Sequence, residues 1–396
     1  MKLLFVAQNL QMGGIQKALV NTIKELHKEK KYDIEVFLFG DGVLLKDIPE
    51  NISVYRGSLL LRLVSTPFSV IKGEKNIFYL FIRIICMIFV RIIGSDKFYS
   101  YLLKKQKIFN KYDVAISYFN DVQNGYFNRG TNQFVDECVD ARKKIAWIHT
   151  DPIKAGFDYS TSLNLYRNFD SIVCVSNACR EKFIKLLPEF KNKTSVVYNF
   201  FPLEEIKAKA TEYNPFQYKG ISLISVGRID NATKRFHLIP QICKMLKNAS
   251  ITGFKWRIVG DGPDLKYNKK LVKTLDVSEL VEFVGEKANP YPYVKKSDLF
   301  VLTSAYEGFP MVIGEALILG TPVVTTCFAA VNEQIIKNYN GLITEMRLDN
   351  IYSAIKYLLE EPIKIEKMKD NIRNDSLSNM IAIKQFRRRV GIAYEQ

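Results

Sequence analysis

Short apolar runs alternate with longer amphipathic stretches along the whole chain. Residues 3–6 form the first apolar run, Gly13 and Gly14 follow it, and residues 34–39 form the second run. The segment between them, from about 16 to 28, predicts a helix. Its apolar face consists of Leu19, Val20, Ile23 and Leu26. A strand, a glycine turn, a helix and a second strand make the repeating unit of a parallel α/β sheet.

The same alternation continues to residue 199 and begins afresh after a polar segment. The later apolar runs are 114–117, 144–149, 171–175 and 195–198 in the first half, and 221–226, 255–259, 281–284, 299–302 and 322–325 in the second. The pattern predicts two Rossmann-like, doubly wound α/β domains. Because ligands of open parallel sheets bind beyond the carboxyl ends of the strands, we expect a site in a cleft between facing domains.

The length of 396 residues is more than one core usually takes and favours two domains. We place these at 1–200 and 221–375. The polar residues 201–220 are expected to be a linker, and 376–396 a C-terminal helix that could pack back on the first domain. The six cysteines are scattered without a CxxC pair, which favours a reducing cytoplasm over a zinc or disulfide framework. The apolar start is too short for a signal peptide.

The net charge of +16 is concentrated around the most apolar segment, residues 77–93. That segment is about long enough to span a bilayer, but Arg83 and Arg91 interrupt it, and such arginines are costly near the bilayer centre. Four lysines follow: Lys97, Lys104, Lys105 and Lys107. Residues 77–107 therefore favour peripheral binding to an anionic membrane surface. The alternative is a core helix whose arginines reach the surface. No nucleic-acid-binding motif is present, so we expect no nucleic acid partner.

The strand at 299–302 leads into a loop and a helix with two glutamates eight residues apart. Gly308 lets backbone approach a ligand, and Pro310 suits the first turn of a helix, whose free N–H groups favour an anion such as a pyrophosphate. Glu307 lies in the loop, within reach of a ligand. Glu315 lies inside an apolar helix, where a carboxylate needs a partner such as the two hydroxyls of a ribose. A helix cap with a salt-bridged core glutamate fits the same spacing.

A second cluster follows the strand at 221–226. Gly227 opens this turn, and Arg228 and Lys234 can converge on one diphosphate. Two cations there would offset the charge that develops on a leaving nucleotide diphosphate, and then no metal is needed. A solvated basic turn is the alternative.

Other strand ends carry weaker signals. Gly262, and Glu286 with Lys287, follow two strands of the second half and would line a nucleotide pocket, or they are simply turns. Gly14 opens a helix and could approach phosphate or the reacting sugar. His149 ends a strand, where either a structural or a functional role is open.

Taken together, these motifs resemble retaining glycosyltransferase family 4, whose GT-B architecture has two facing Rossmann-like domains. The E-x7-E signature from Glu307 to Glu315 carries most of the resemblance, which covers nearly the whole chain. The other matching positions are 13–16, His149, Val175-Ser176, Asn199, Gly227-Arg228, Lys234, 260–263 and Ser297-Asp298. Two departures stand out: Gln16 where many relatives carry Glu, and Arg235 where glycine is commoner.

The resemblance implies a role for each matching side chain of the second half. Arg228 and Lys234 would bind the donor diphosphate, Glu307 would face the donor sugar, and Glu315 would hold the ribose. Backbone groups would reach sugar and phosphate at Gly308, Phe309 and Pro310.

In the first half the resemblance implies two contacts. His149 would contact the donor sugar from the opposite domain, and Gly14 would lie beside the phosphate and the acceptor. The family retains anomeric configuration. The resemblance also implies front-face attack in which the leaving phosphate takes the acceptor proton, and no second nucleophile is evident in the sequence.

We therefore expect a hexosyl- or N-acetylhexosaminyl-transferase that uses a nucleotide diphosphate sugar, with UDP as the favoured nucleotide, and needs no metal or other cofactor. The basic apolar segment favours a lipid-linked or glycan acceptor at the inner face of the cell membrane, as in capsule or O-antigen assembly. One alternative is a soluble transferase acting on a small sugar or sugar phosphate. Another is an inactive sugar-nucleotide-binding subunit, against which the intact charged residues argue.

Overall fold

The computed structural model describes residues 1–73, 77–106, 110–121, 127, 129–375 and 377–391. The chain forms two compact units. The first unit comprises Met1–Phe200 with Asn379–Gln396, and the second comprises Phe201–Ser378. Each unit has its own parallel sheet flanked by helices, so the prediction of two Rossmann-like, doubly wound domains is confirmed.

The sheet of the first unit has seven parallel strands in the order β3-β2-β1-β4-β5-β6-β7. The strands are β1 (Lys2–Ala7), β2 (Asp33–Leu38), β3 (Ser53–Arg56), β4 (Tyr112–Ser117), β5 (Ala141–Ile148), β6 (Ser171–Cys174) and β7 (Thr194–Val196). Parallel strands are covered on both faces, which is why β1 reads as an uninterrupted apolar run. The order reverses between β1 and β4, which puts the topological switch of this unit there.

Eight α-helices precede residue 200 in the described part of the chain. They are α1 (Gly14–Lys28), α2 (Leu59–Ser65), α3 (Phe68–Gly73), α4 (Ile77–Ile93), α5 (Ser95–Leu103), α6 (Thr131–Cys138), α7 (Tyr159–Tyr166) and α8 (Asn177–Leu186). Helix α1 lies where the apolar periodicity predicts it, and buries the predicted face.

Helix α4 holds most of the apolar, basic segment noted in the sequence. Its buried residues include Arg83, Cys86 and Val90, whereas most of its isoleucines and phenylalanines are exposed. Within the described residues, no single helix is long and apolar enough to cross a membrane. Helices α4 and α5 together have the length and composition for it, but the chain bends by 119° between them. Lys107, the last residue of the segment, lies outside the described residues.

The second unit has a six-stranded parallel sheet in the order β10-β9-β8-β11-β12-β13. Its strands are β8 (Ile221–Val226), β9 (Phe254–Val259), β10 (Val281–Gly285), β11 (Leu299–Leu302), β12 (Val323–Thr326) and β13 (Gly341–Thr344). Its helices are α9 (Leu203–Lys209), α10 (Leu238–Asn248), α11 (Leu265–Thr274), α12 (Tyr291–Lys296), α13 (Met311–Ile318), α14 (Leu348–Glu360) and α15 (Pro362–Asn374). The topological switch lies between β8 and β11, whose carboxyl ends carry the two strongest sequence motifs.

Residues 201–220, expected to be a linker, begin with α9 and lie within the second unit. Ile206 and Ala210 of this segment are buried with Tyr291 in a small apolar cluster. The mostly polar composition of residues 201–220 does not predict this helix, because only one face of the helix is apolar.

The C-terminal helix α16 (Met380–Val390) is part of the first unit. Its Phe386 ring lies 5.8 Å from the ring of Tyr32 and 6.3 Å from that of Trp147. Arg387 pairs at 2.9 Å with Glu29, the residue that directly follows α1. One buried aromatic anchor and one ion pair thus hold the end of the chain on the domain formed by its beginning.

Candidate active site

Two loops of the second unit meet at its topological switch. The loop after β8 carries Lys234, and the loop after β11 carries Glu307. The Ala305 backbone N–H donates to the Thr233 carbonyl at 2.8 Å, and the Thr303 hydroxyl donates to the Lys234 carbonyl at 2.6 Å. The segments predicted to bind phosphate and sugar are therefore fixed side by side at the carboxyl ends of adjacent strands.

Lys234 and Glu307 form an ion pair. The Lys234 Nζ atom lies 2.5 Å from Oε1 of Glu307, and the Ser304 hydroxyl donates to the same oxygen at 2.7 Å. The side chains are 22% and 16% exposed, so both can still meet a ligand. Phosphate oxygens accept strong charge-assisted hydrogen bonds, and a diphosphate can therefore compete with Glu307 for Lys234. Ser304 would continue to orient Glu307 after that exchange.

Arg228, the other predicted phosphate ligand, pairs within its own loop. Its Nη2 atom lies 2.6 Å from Oδ2 of Asp230, and its side chain is 71% exposed. Burial raises the pKa of Asp230, but the hydrogen bond and charge of Arg228 lower it more, so this pKa lies below its ordinary value. The contacts of the described residues do not bring Arg228 to Lys234 or Glu307. Arg228 would have to leave Asp230 to join Lys234 on a diphosphate.

Arg235 shows how the chain accommodates its departure from the family pattern. Its φ of 56° is in the left-handed region, which glycine adopts most easily. The Arg235 guanidinium donates to the Met346 carbonyl at 2.8 Å, which helps to hold this backbone. The loop therefore keeps a conformation typical of glycine although the residue is arginine.

Glu315 lies on α13 and is 4% exposed. The hydroxyl of Tyr291, at the start of α12, lies 3.5 Å from its Oε1 atom. A buried carboxylate beside a tyrosine hydroxyl can accept hydrogen bonds from a diol, as the ribose role requires. Helix α13 begins at Met311, so Pro310 precedes the helix and is not in its first turn as expected. Proline has no side-chain acceptor, so it cannot cap the first N–H groups of α13.

The remaining second-unit predictions fall at neighbouring strand ends. A side chain at Gly262 would come within 2.4 Å of the Ile229 carbonyl, so this glycine lets the loops after β8 and β9 approach each other. Gly227, with a φ of 155°, takes a backbone conformation that few other residues adopt. Glu286 and Lys287 are exposed after β10, an edge strand of the sheet. Gly308 and Phe309 lie in the loop of Glu307. Their contacts with a donor remain predictions.

The predicted residues of the first unit also lie at strand ends. Gly14 starts α1 after β1, with open space where a side chain would be. His149 directly follows β5 and is 9% exposed, with its ring 4.5 Å from the Tyr118 ring. Gln16, the other departure from the family pattern, donates to Asn9 Oδ1 at 3.3 Å.

The His149 imidazole is a buried acceptor. Burial lowers its pKa to about 3, although a hydrogen bond to the Tyr118 backbone opposes this. Its Nε2 atom is buried and has no hydrogen-bond partner among the described residues. A neutral ring whose second nitrogen is bonded presents a lone pair at Nε2, which suits a sugar hydroxyl.

Asp230, Tyr291 and Ser304 contact the predicted residues Arg228, Glu315 and Glu307, and the sequence motifs do not reveal these contacts. Ser304 stands three residues before Glu307, and this short spacing is a weak signal in the sequence. The contact of Tyr291 with Glu315 joins two helices, so no local sequence signal predicts it. As for metals, no group of three His, Cys, Asp or Glu side chains that could hold an ion occurs in the described part of the chain.

Known structures share this architecture over nearly the whole chain. The lipopolysaccharide outer core galactosyltransferase WaaB aligns with a TM-score of 0.62 over 98% of this chain and 99% of that protein, at 17% identity. Anabaena HepE, in complex with UDP and glucose, aligns with a TM-score of 0.65 over 98% of this chain and 95% of that protein, at 19% identity. The fold is thus that of the GT-B glycosyltransferases.

Sequence comparison agrees with the fold. A family model described as glycosyl transferases group 1 matches residues 208–375. The N-acetylgalactosamine-N,N'-diacetylbacillosaminyl-diphospho-undecaprenol 4-alpha-N-acetylgalactosaminyltransferase of Campylobacter jejuni is 29% identical over 361 residues, 89% of this chain and 88% of that protein. An uncharacterized glycosyltransferase of Methanocaldococcus jannaschii is 28% identical over 46% of this chain. The match spans about half of that relative's length, 48%. Residues 208–375 form a glycosyl transferase group 1 domain, and the chain as a whole is similar to glycosyltransferases. Assignment to the retaining family 4 stays a prediction.

Proposed function

We propose that the protein transfers a hexosyl or N-acetylhexosaminyl group from a UDP-sugar to a lipid-linked or glycan acceptor, with retention of anomeric configuration. The observation that carries this proposal is the Lys234–Glu307 ion pair, 2.5 Å long, on two adjoining strand-end loops. One cation for a diphosphate and one carboxylate for a sugar are thereby held together. Similarity to HepE, solved with UDP and glucose, supports UDP as the nucleotide.

The donor's entry would reorganise the charges of the site. Lys234 and Arg228 would exchange their carboxylate partners for the diphosphate, and Glu307, still bonded to Ser304, would turn to the sugar hydroxyls. The bond between the anomeric carbon and the diphosphate oxygen breaks, and the acceptor oxygen attacks from the same face. The acceptor proton passes to the departing diphosphate, whose negative charge the two cations stabilise. These cations take the part that a divalent metal plays in other transferases, so the reaction needs no metal.

The reaction's stereochemistry gives the test. With a UDP-α-sugar and a simple acceptor, proton NMR of the product should show an α-linkage, and chelation with EDTA should leave the rate unchanged. A β-linked product would contradict the retaining mechanism, and loss of activity that Mg²⁺ or Mn²⁺ restores would contradict the metal-free role of Arg228 and Lys234.

The acceptor part of the proposal rests on α4. Its outward residues recur at helical spacing, with Phe78 64%, Phe81 60% and Ile92 74% exposed. Ile85, Ile88 and Phe89 complete this face. A single apolar helix face of this size on the surface is typical of proteins that bind membranes. The Campylobacter relative, whose name specifies a diphospho-undecaprenol substrate, supports a lipid-linked acceptor in surface polysaccharide assembly.

Arg83 explains why the apolar side of α4 faces outward. Its guanidinium is buried and donates to the Leu63, Val64 and Thr66 carbonyls, the last two at 3.0 and 2.5 Å. It also lies 4.9 Å from the Phe127 ring centroid. The carbonyls at the end of α2 favour a cation, because a helix has partial negative charge at its C-terminus. Fixing Arg83 inward leaves the phenylalanines of α4 on the outside.

We expect the membrane to be anionic and to be the inner face of the cell membrane. Lys104 and Lys105 are exposed just beyond α5, and Lys107 follows outside the described residues. Replacing all three by glutamate should release the protein from vesicles that contain phosphatidylglycerol. Unchanged vesicle binding would contradict the electrostatic part of the proposal.

A further inference from the structure

Three arginines of the first unit line a cavity of about 290 Å³. Arg180 comes from α8, and Arg388 and Arg389 come from the last turn of α16. Strand β7, at the edge of the sheet, forms another wall through Ser195. None of these residues belongs to the sequence motifs of the sugar-transfer site.

The charges of this cavity are all positive among the described residues that line it. Its described lining contains no aspartate or glutamate. Burial lowers the pKa of the Arg389 guanidinium, and the charges of Arg388 and Arg180 lower it further. The neighbouring Arg387, by contrast, is paired with Glu29 at 2.9 Å. Like charges gathered without a counter-charge cost free energy unless an anion joins them.

Ser195 adds a second, independent sign of a ligand. The residue is 5% exposed, and its hydroxyl oxygen is buried without a hydrogen-bond partner among the described residues. Buried hydroxyls in folded proteins are almost always bonded, so an unbonded one on a cavity wall calls for a partner. The Arg180 Nε atom is already used by the Thr194 carbonyl at 3.1 Å, which holds its side chain beside β7.

We propose that this cavity is a binding site for a phosphate group, carried by a soluble phosphate ester or by a lipid headgroup. Guanidinium groups bind phosphate through paired N–H donors, and a phosphate dianion would offset most of the charge of three arginines. The Ser195 hydroxyl would donate to one phosphate oxygen. The volume is close to the lower end of ordinary small-molecule sites, which begin at about 300 Å³. The site does not depend on the proposed transfer reaction.

Calorimetric titration with inorganic phosphate tests the site. The titrations are made in an Arg228→Ala/Lys234→Ala background, so that the proposed donor site does not contribute. We expect binding in this background, and a loss of at least about tenfold in affinity when Arg180→Gln and Arg388→Gln are added. The matched control is Arg142→Gln, since Arg142 is 86% exposed and lies 3.7 Å from Asp113. Equal affinity in the control and the double variant would overturn the proposal.

Two further arms identify the source of the phosphate and exclude a folding defect. If a lipid headgroup is the ligand, the double variant should also bind phosphatidic acid vesicles more weakly than the Arg142→Gln protein. If a soluble ester is the ligand, phosphate should bind and vesicle binding should be equal. Ser195→Ala should weaken the phosphate or vesicle interaction several-fold with no loss of Tm. If all variants bind phosphate equally and bind vesicles equally, the result would contradict the proposed site.

Discussion

The two units place charge and apolar surface in opposite ways. In the second unit, Lys234 and Glu307 lie at the rim of the sheet, where they pair with each other and remain partly exposed. In the first unit, the Arg83 side chain of α4 is buried, and the phenylalanines of the same helix are exposed. A lysine that is paired but still accessible can exchange its carboxylate partner for a small polyanion. An exposed apolar helix face instead suits an extended apolar partner. Under the proposed function, the second unit would bind the nucleotide and the first unit would bind the membrane.

The largest expected effect is on the charged side of this comparison. Lys234→Ala should lower kcat/KM by about 10²–10³-fold, because it removes a charge that stabilises the leaving diphosphate. Steady-state kinetics with a UDP-sugar measure this. Lys273→Ala, which removes an exposed lysine of α11, is the matched control and should behave as the wild type. If Lys234→Ala had the same kcat/KM as Lys273→Ala, the proposal that Lys234 binds the donor diphosphate would be contradicted.

On the apolar side, replacing Phe78, Phe81 and Phe89 by serine should reduce partition to lipid vesicles by about 100-fold or more, since each inserted phenylalanine contributes up to about 2 kcal/mol. Vesicle sedimentation measures the change. Serine at Tyr267, Ile336 and Ile363, which are 57%, 60% and 69% exposed in the second unit, is the control. Equal losses in both triple variants would show that α4 has no special role.

A smaller effect is expected at the ribose position. Glu315→Gln keeps the shape of the side chain but loses the charge, and should weaken UDP binding by roughly 10-fold or more because hydrogen bonds to charged groups are the stronger ones. Tyr291→Phe, which removes only the hydroxyl beside Glu315, should weaken it less. Calorimetry with UDP ranks the two. The reverse ranking would place the ribose closer to Tyr291 than to Glu315.

The last expected effect is on stability rather than on activity or binding, and it concerns His149, the neutral counterpart of the charged pair. Its pKa of about 3 lies below its ordinary value of 6.5, so the folded state favours the neutral ring. The resulting stability is complete above pH 6.5 and is lost as the pH falls towards the folded-state pKa. Between pH 6.5 and 4.5 the wild type should lose roughly 2–3 kcal/mol more than His149→Gln, which has no proton to bind. Urea unfolding at both pH values measures this; parallel losses would mean that the ring is protonated in the folded state.

The sequence predicts that Lys234 and Glu307 lie at strand ends of the second unit, and the structure places both there. Lys234 and Glu307 each lie in the loop that follows an apolar run, and parallel strands bring such loops together. It does not predict the pairing of Arg228 with Asp230, or the contact of Tyr291 with Glu315, because these depend on loop conformation and on helix packing.

The first unit is harder to predict for a similar reason. An arginine within an apolar run is expected at the surface, and the burial of Arg83 becomes understandable only when the free carbonyls at the end of α2 are seen beside it. The sequence periodicity gives a helix at α4 but cannot tell which of its faces is buried. Helix α9 is missed because its single apolar face lies within a polar segment.

The central claim, that the second unit binds a uridine diphosphate sugar through Lys234, is tested most directly by thermal unfolding with UDP-, GDP- and ADP-sugars. A donor at about 100 times its Kd stabilises the protein by about 2.7 kcal/mol, which is several degrees in Tm. We predict that a UDP-sugar gives the largest shift in the wild-type protein and that Lys234→Ala abolishes it. An equal shift in that variant, or no shift with any of the three donors, would contradict the claim.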